Sequence, residues 1–180
     1  ETFDIFFTQC FKLLTSKMSE FKKNLKNNKI EVLDENTIDM MLDRMIKLAS
    51  LMKNLLMTIS SPEIPMSSHQ KVIQFGPNWM DNCTELLDFL NDAKQVYPEK
   101  VKDYISIIRT IRRNLQAVVT HARRNEPKLL RFLPRISKSL EVWTYKLKMV
   151  LPEIFGTDEV KLDHMRERTI DGDYVNSQNH

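Results

Sequence analysis

Glycine is scarce in this chain, with three in 180 residues. An all-β fold needs many tight turns, so this scarcity argues against one. Cysteine is almost absent: Cys10 and Cys83 stand far apart, with no CxxC spacing. That excludes a disulfide framework and predicts free, buried thiols of a reducing compartment. No uninterrupted apolar run approaches the roughly 20 residues that a membrane span needs. The opening residues, ETFDIFF, have neither a basic n-region nor a small-residue cleavage site, so no secretion signal is expected. The chain also begins without Met, which suggests a fragment or a processed product.

What is present suits helices. Ten Met and many Leu, Ile and Lys favour them, and a chain of this length can bury roughly 70% of its unfolded surface. Phe3, Phe7, Cys10, Leu14, Met18, Phe21 and Leu25 recur at steps of three and four, one face of a first helix of about seven turns. Asn27-Asn28 reads as its end. Asp34 or Asn36 then caps a second helix with a broad apolar face from Ile38 to Ile59. Its methionines at 40, 41, 45 and 52 suit ordinary core packing better than a plastic binding groove. Ser60-Ser61-Pro62 and Pro65 predict a loop over 60–66. A third helical region follows from about Ser67 to Val96, with an internal break expected at Phe75-Gly76-Pro77. Pro98 suits the first turn of a further helix that buries Val101, Tyr104, Ile105, Ile108, Ile111, Leu115 and Val118.

The stretch from Glu126 to Leu151 carries two stripes at once. Leu129, Leu130, Leu133, Ile136, Leu140, Trp143, Leu147 and Val150 line one helical face, while Arg131, Arg135 and Lys138 line another. Pro134 cannot donate a backbone hydrogen bond and crowds the preceding turn, so a kink or a fresh helix start is expected beside it. The whole pattern predicts an all-α fold of antiparallel amphipathic helices over residues 1–155, the end of a HEAT- or armadillo-like helical-repeat solenoid. Residues 156–180 are expected to add a short peripheral helix and a flexible polar tail.

Charge is distributed unevenly. Net charge is only +3, yet Arg109 to Lys148 holds eleven Lys or Arg against two acids, Glu126 and Glu141, a balance of +9 that leaves −6 elsewhere. Such asymmetry points to an anionic partner for one region. Antiparallel neighbours joined by a short turn set their outward faces side by side. Arg109, Arg112, Arg113, Arg123, Arg124, Lys128, Arg131, Arg135 and Lys138 are therefore the expected DNA-binding residues. The bland alternative is a solvated face that pairs with acidic residues of the first half. Arginine outnumbers lysine seven to two in this set, which suits bidentate phosphate contacts. Phe132, Trp143 and Tyr145 alternate with the charges too irregularly for base stacking, so sequence-independent backbone contact is the better fit.

Motifs of catalysis are missing. There is no phosphate-cradling Gly loop, no HExxH, no metal-spaced Cys/His cluster and no nucleophile elbow. His69, His121, His164 and His180 are scattered in sequence, and His121 reads as a helix C-terminal capping side chain. Asp39 and Asp43 lie one turn apart, but Arg44 and Lys47 beside them suggest a solvated face. No enzyme activity, cofactor, metal or small-molecule substrate is expected.

Several segments together resemble the C-terminal helical region of the Fanconi anaemia group D2 family. These are Leu133-Pro134, Lys138-Ser139-Leu140-Glu141, then Lys146, Lys148 and Leu151. Thr2-Phe3 with Phe6-Phe7 is similar to the family's opening, and Phe75-Gly76 to its aromatic-Gly pair. Arg168, Gly172, Asp173, Val175, Ser177, Gln178 and Asn179 match a family stretch at the same spacing. The likeness spans nearly the whole chain, although residues 152–167 lack the family's aromatic-Leu-Gly stretch. It implies a nuclear scaffold of interstrand-crosslink repair that pairs with the group I paralogue to encircle double-stranded DNA. It also implies ubiquitin conjugation, at a lysine that lies in an earlier part of the family's chain. Ser177-Gln178 is a Ser-Gln pair of the kind that the family's DNA-damage kinases favour, which makes Ser177 a candidate phosphorylation site. Two other readings fit the residues: a purely protein-binding helical scaffold without DNA contact, and a secreted four-helix cytokine-like bundle.

Overall fold

The computed structural model describes residues 2–27, 34–58 and 66–155. The described residues form helices and turns, with no strand among them. The order is α1 (Thr2–Asn27), α2 (Glu35–Met57), α3 (Met66–Glu85), α4 (Leu87–Ala93) and α5 (Pro98–Asn125). A 3₁₀ segment (Pro127–Phe132), α6 (Leu133–Val150) and a short α7 (Pro152–Phe155) follow. The expected all-α fold is thus the observed one. Of the expected loop over 60–66, residues 60–65 lie outside the described residues and Met66 opens α3, and the tail with Ser177 and the expected helix over 158–168 also lie outside them.

Start and stop signals act where the side chains can supply them. Asp34 caps α2, with the Thr37 N–H donating to its carboxylate at 2.7 Å. The Thr37 hydroxyl, and then that backbone bond, hold the Asp34 carboxyl below its ordinary value. Pro98 occupies the first turn of α5, where a missing N–H costs nothing. Pro134 does the same for α6, so the apolar stripe of 129–150 is split into a 3₁₀ segment and a fresh helix.

One predicted break does not occur. α3 runs without interruption through Phe75-Gly76-Pro77, and the chain breaks at Leu86 instead. A proline disfavours the helical conformation of the residue before it by crowding that residue's N–H and its Cβ. Here that residue is Gly76, which has no Cβ. The same bare backbone lets α6 approach, because a Cβ at Gly76 would stand 3.0 Å from Ile136 Cδ1.

The helices pack in two layers. α1, α3 and α6 pack side by side in one, and α2 and α5 pack together in the other, with α1 also on α2 and α5 also on α3 and α6. The core between them takes Phe7, Met18, Leu42, Met52, Trp79, Tyr104, Ile108, Leu115, Ile136 and Trp143, all nearly or fully buried. Phe11 fills the position on α1 that the heptad reading gives to Cys10, which is half-buried. Leu130 is exposed rather than on the stripe.

Ion pairs join neighbouring helices within each layer. Lys22 on α1 reaches Glu85 at 2.9 Å and Asn82 at 3.0 Å on α3. Lys100 on α5 bonds both Asp39 and Asp43 of α2, the latter at 2.9 Å, and these bonds raise its pKa. The aspartate pair, on a face that remains largely solvated, also bridges α2 to α5.

Candidate functional site

The basic segment wraps from α5 through the 3₁₀ turn into α6. A helix of 3.6 residues per turn sets Arg109 and Arg113 one turn apart, and Arg124 returns to the same side three turns later. Arg113 and Arg124 are exposed, while Arg109 and Arg123 are half-buried. Arg123 and Arg124 also lie in the last turn of α5, where cations suit the negative end of the helix dipole. The 3₁₀ segment then presents exposed Lys128 and Arg131, and α6 presents exposed Arg135 and Lys138.

Two of the nine predicted residues behave differently. Arg112 is buried, at 6% exposure. It follows Ile108 by four residues and precedes Leu115 by three, so it belongs to the buried arc and not to the outer face. Arg135 is 65% exposed but leans onto α3, 3.2 Å from Asn78 Oδ1 and 3.8 Å from Asp81. Arg131 stacks over Phe132, with its guanidinium carbon 4.6 Å from the ring centre. Among the aromatics, Trp143 is buried and Tyr145 is exposed.

Acid is sparse along this segment. Between Arg109 and Lys138 the one acidic residue is Glu126, and it is buried. Its Oε1 lies 3.3 Å from His69 Nδ1 on α3 and 3.7 Å from His121 Nε2 on α5. Two histidines that are scattered in sequence thus meet across the fold, with their rings edge to face at 5.3 Å. Sequence spacing could not show this, because His69 and Glu126 are 57 residues apart. His121 is not a capping side chain. Asn125 Nδ2 donates to the His121 carbonyl at 3.1 Å, and the Glu126 N–H closes the helix onto Ala122.

Past Lys138, the outer face of α6 changes character. Val142, Tyr145 and Met149 follow at steps of four, three and four and are 41%, 67% and 65% exposed. Two grooves, of about 560 and 470 Å3, run along α1 and are lined by none of the nine predicted basic residues. Among the described residues no helix is long and apolar enough to cross a membrane. No protein-family model matches this chain, and neither a curated protein nor a solved structure matches it.

Proposed function

We propose that this domain is a non-enzymatic scaffold that rests the outer face of α5, the 3₁₀ turn and α6 on the phosphates of duplex DNA. The observation that carries this reading is one of charge and burial together. Arg113, Arg124, Lys128, Arg131, Arg135 and Lys138 are exposed, and the single acid among them in sequence is withdrawn beneath the surface. An exposed face on which cations outnumber acids attracts a polyanion and releases its counterions. Contact with the backbone, not base readout, follows from the lack of an aromatic platform along the charged stretch.

The resemblance to the group D2 C-terminal region implies that such a scaffold works in the nucleus, as one half of a clamp with the group I paralogue. The apolar end of the α6 face, Val142, Tyr145 and Met149, supports a protein partner beside the DNA. Paired helices in two layers are compatible with the end of a helical-repeat array. The free thiols of Cys10 and Cys83 speak for this reading over a secreted bundle.

The test is duplex binding across a salt series. Reversing Arg113, Arg124, Lys128 and Arg131 to Glu should weaken binding about equally for unrelated sequences. Each lost phosphate contact should reduce the log–log salt slope by about 0.9. A folded quadruple variant with an unchanged slope would remove this face from DNA binding.

A further inference from the structure

We propose that His69, His121 and Glu126 form a binding site for a divalent transition-metal ion of the zinc class. Their donor atoms, one from each side chain, all lie within 4.8 Å of one another. A tetrahedral ion with ligands at about 2.0–2.1 Å sets neighbouring donors about 3.3–3.4 Å apart. The Glu126 oxygen is 3.3 Å from one imidazole nitrogen and 3.7 Å from the other. These separations are long for hydrogen bonds, whose usual length is about 2.9–3.0 Å. They come close to the edges of a coordination tetrahedron. The third edge, between the imidazoles, closes by rotation of His121, whose side chain is 51% exposed and has room to turn.

A second observation points to the same ligand. Glu126 Oε2 is buried and has no hydrogen-bond partner among the described residues, although its carboxylate belongs to a side chain only 6% exposed. Leaving a buried carboxylate oxygen unsatisfied is costly, and a cation shared with the imidazoles would offset that cost. Two nitrogens and one oxygen suit zinc, cobalt or nickel, whereas calcium and magnesium prefer all-oxygen shells. The exposed side at His121 leaves a fourth position for water.

The neighbour of His121 fits an orienting role. Asn125 Nδ2 lies 3.3 Å from His121 Nδ1. In that arrangement Nδ1 accepts and the neutral ring keeps its proton on Nε2. Metal binding at Nε2 moves the proton to Nδ1, where a turn of the Asn125 side chain that gives up its bond to the His121 carbonyl would present Oδ1 as the acceptor. The ion would tie the start of α3 to the junction of α5 with the 3₁₀ turn. This site is independent of the DNA reading.

The test titrates the full chain with Zn2+ by calorimetry and with Co2+ by visible absorption, using Ca2+ and Mg2+ as controls. One equivalent should bind, with cobalt d–d bands and no thiolate charge-transfer absorption that would implicate Cys10 or Cys83. His121→Ala and Glu126→Gln, checked for unchanged helicity, should each lose binding. His69→Ala should do the same, and Asn125→Ala should weaken it on the order of 10–100-fold. The double variant His164→Ala/His180→Ala should bind as the parent does. Absence of saturable Zn2+ or Co2+ binding overturns the proposal. So does binding that survives His69→Ala and His121→Ala, or that depends on His164 and His180.

Discussion

Replacing Gly76 by Ala tests how α3 passes through Pro77 while packing against α6. In an ordinary helix interior Ala is favoured over Gly by about 1 kcal/mol. At this position two terms oppose that gain. The new Cβ precedes a proline in helical conformation, a strain on the order of 1–3 kcal/mol. It also stands 3.0 Å from Ile136 Cδ1, so that side chain must give by a few tenths of an ångström, a turn away from its rotamer minimum that costs about 0.5–1.5 kcal/mol. Gly76→Ala should therefore destabilise by roughly 0.5–3.5 kcal/mol. The two causes are separable. Ile136→Val removes Cδ1 and alone costs about 0.5–1.5 kcal/mol, leaving Leu115 Cδ2 at 3.7 Å as the nearest group to a new Cβ. In the Ile136→Val background the cost of Gly76→Ala should fall by about the rotamer term, a favourable coupling of about 0.5–1.5 kcal/mol. Urea unfolding of the four proteins with matched m-values measures the cycle. If Gly76→Ala raises stability by the full propensity gain, the account of why α3 continues is wrong. Additivity within about 0.3 kcal/mol would remove the close approach to Ile136 from it.

Two further outcomes follow from groups elsewhere. Burial pushes the Cys83 thiol up to about 12 against a weaker lowering by the Tyr104 hydroxyl, so at neutral pH a thiol reagent should label half-buried Cys10 in the native protein and reach Cys83 only on unfolding; rapid labelling of both would contradict the burial. The Asp34 carboxyl titrates lower when folded than its ordinary 3.8, so its capping contribution is fully present above that value and is lost as pH falls below it through the lower folded pKa. Asp34→Asn should keep the cap and flatten this acid-side loss, whereas Asp34→Ala should lose the cap at every pH; identical acid unfolding curves for the Asp34→Asn variant and the parent would show that the charge contributes nothing.

Most of the fold is legible because apolar spacing and punctuation act locally. Asp34, Pro98 and Pro134 each set a helix end through their own side chain or ring, so their effect can be read one residue at a time. Gly76-Pro77 misleads because each residue alone breaks a helix, while together the missing Cβ removes part of the clash that the proline would cause. The site is less legible. His69, His121 and Glu126 converge only through the packing of α3 against α5, which no local spacing encodes. Lys100 reaching Asp39 and Asp43 is hidden in the same way, since a lone lysine on one helix carries no sign of its partner on another.

The adjacent pair Arg112 and Arg113 shows where burial, not residue type, decides the role of a charge. Both are arginines in a basic run, yet a step of about 100° around the helix carries one into the core arc and the other into water. Arg112 is 6% exposed between the turns of Ile108 and Leu115, and Arg113 is exposed. Arg112→Glu would replace a buried cation of the core arc by a carboxylate. A cost of about 3–5 kcal/mol is expected, of the order seen when a buried charge loses its compensation. Arg113→Glu should stay within about 0.5 kcal/mol of the parent in stability. If the outer face meets phosphate, it should nonetheless lower the magnitude of the salt slope of duplex binding by about 0.9. Denaturant unfolding and a salt series, run on both variants, separate the roles in opposite directions. Equal stability of the two would refute the placement of Arg112 within the core arc. A stable Arg113→Glu variant with the parent's salt slope would take Arg113 out of the DNA-contacting face.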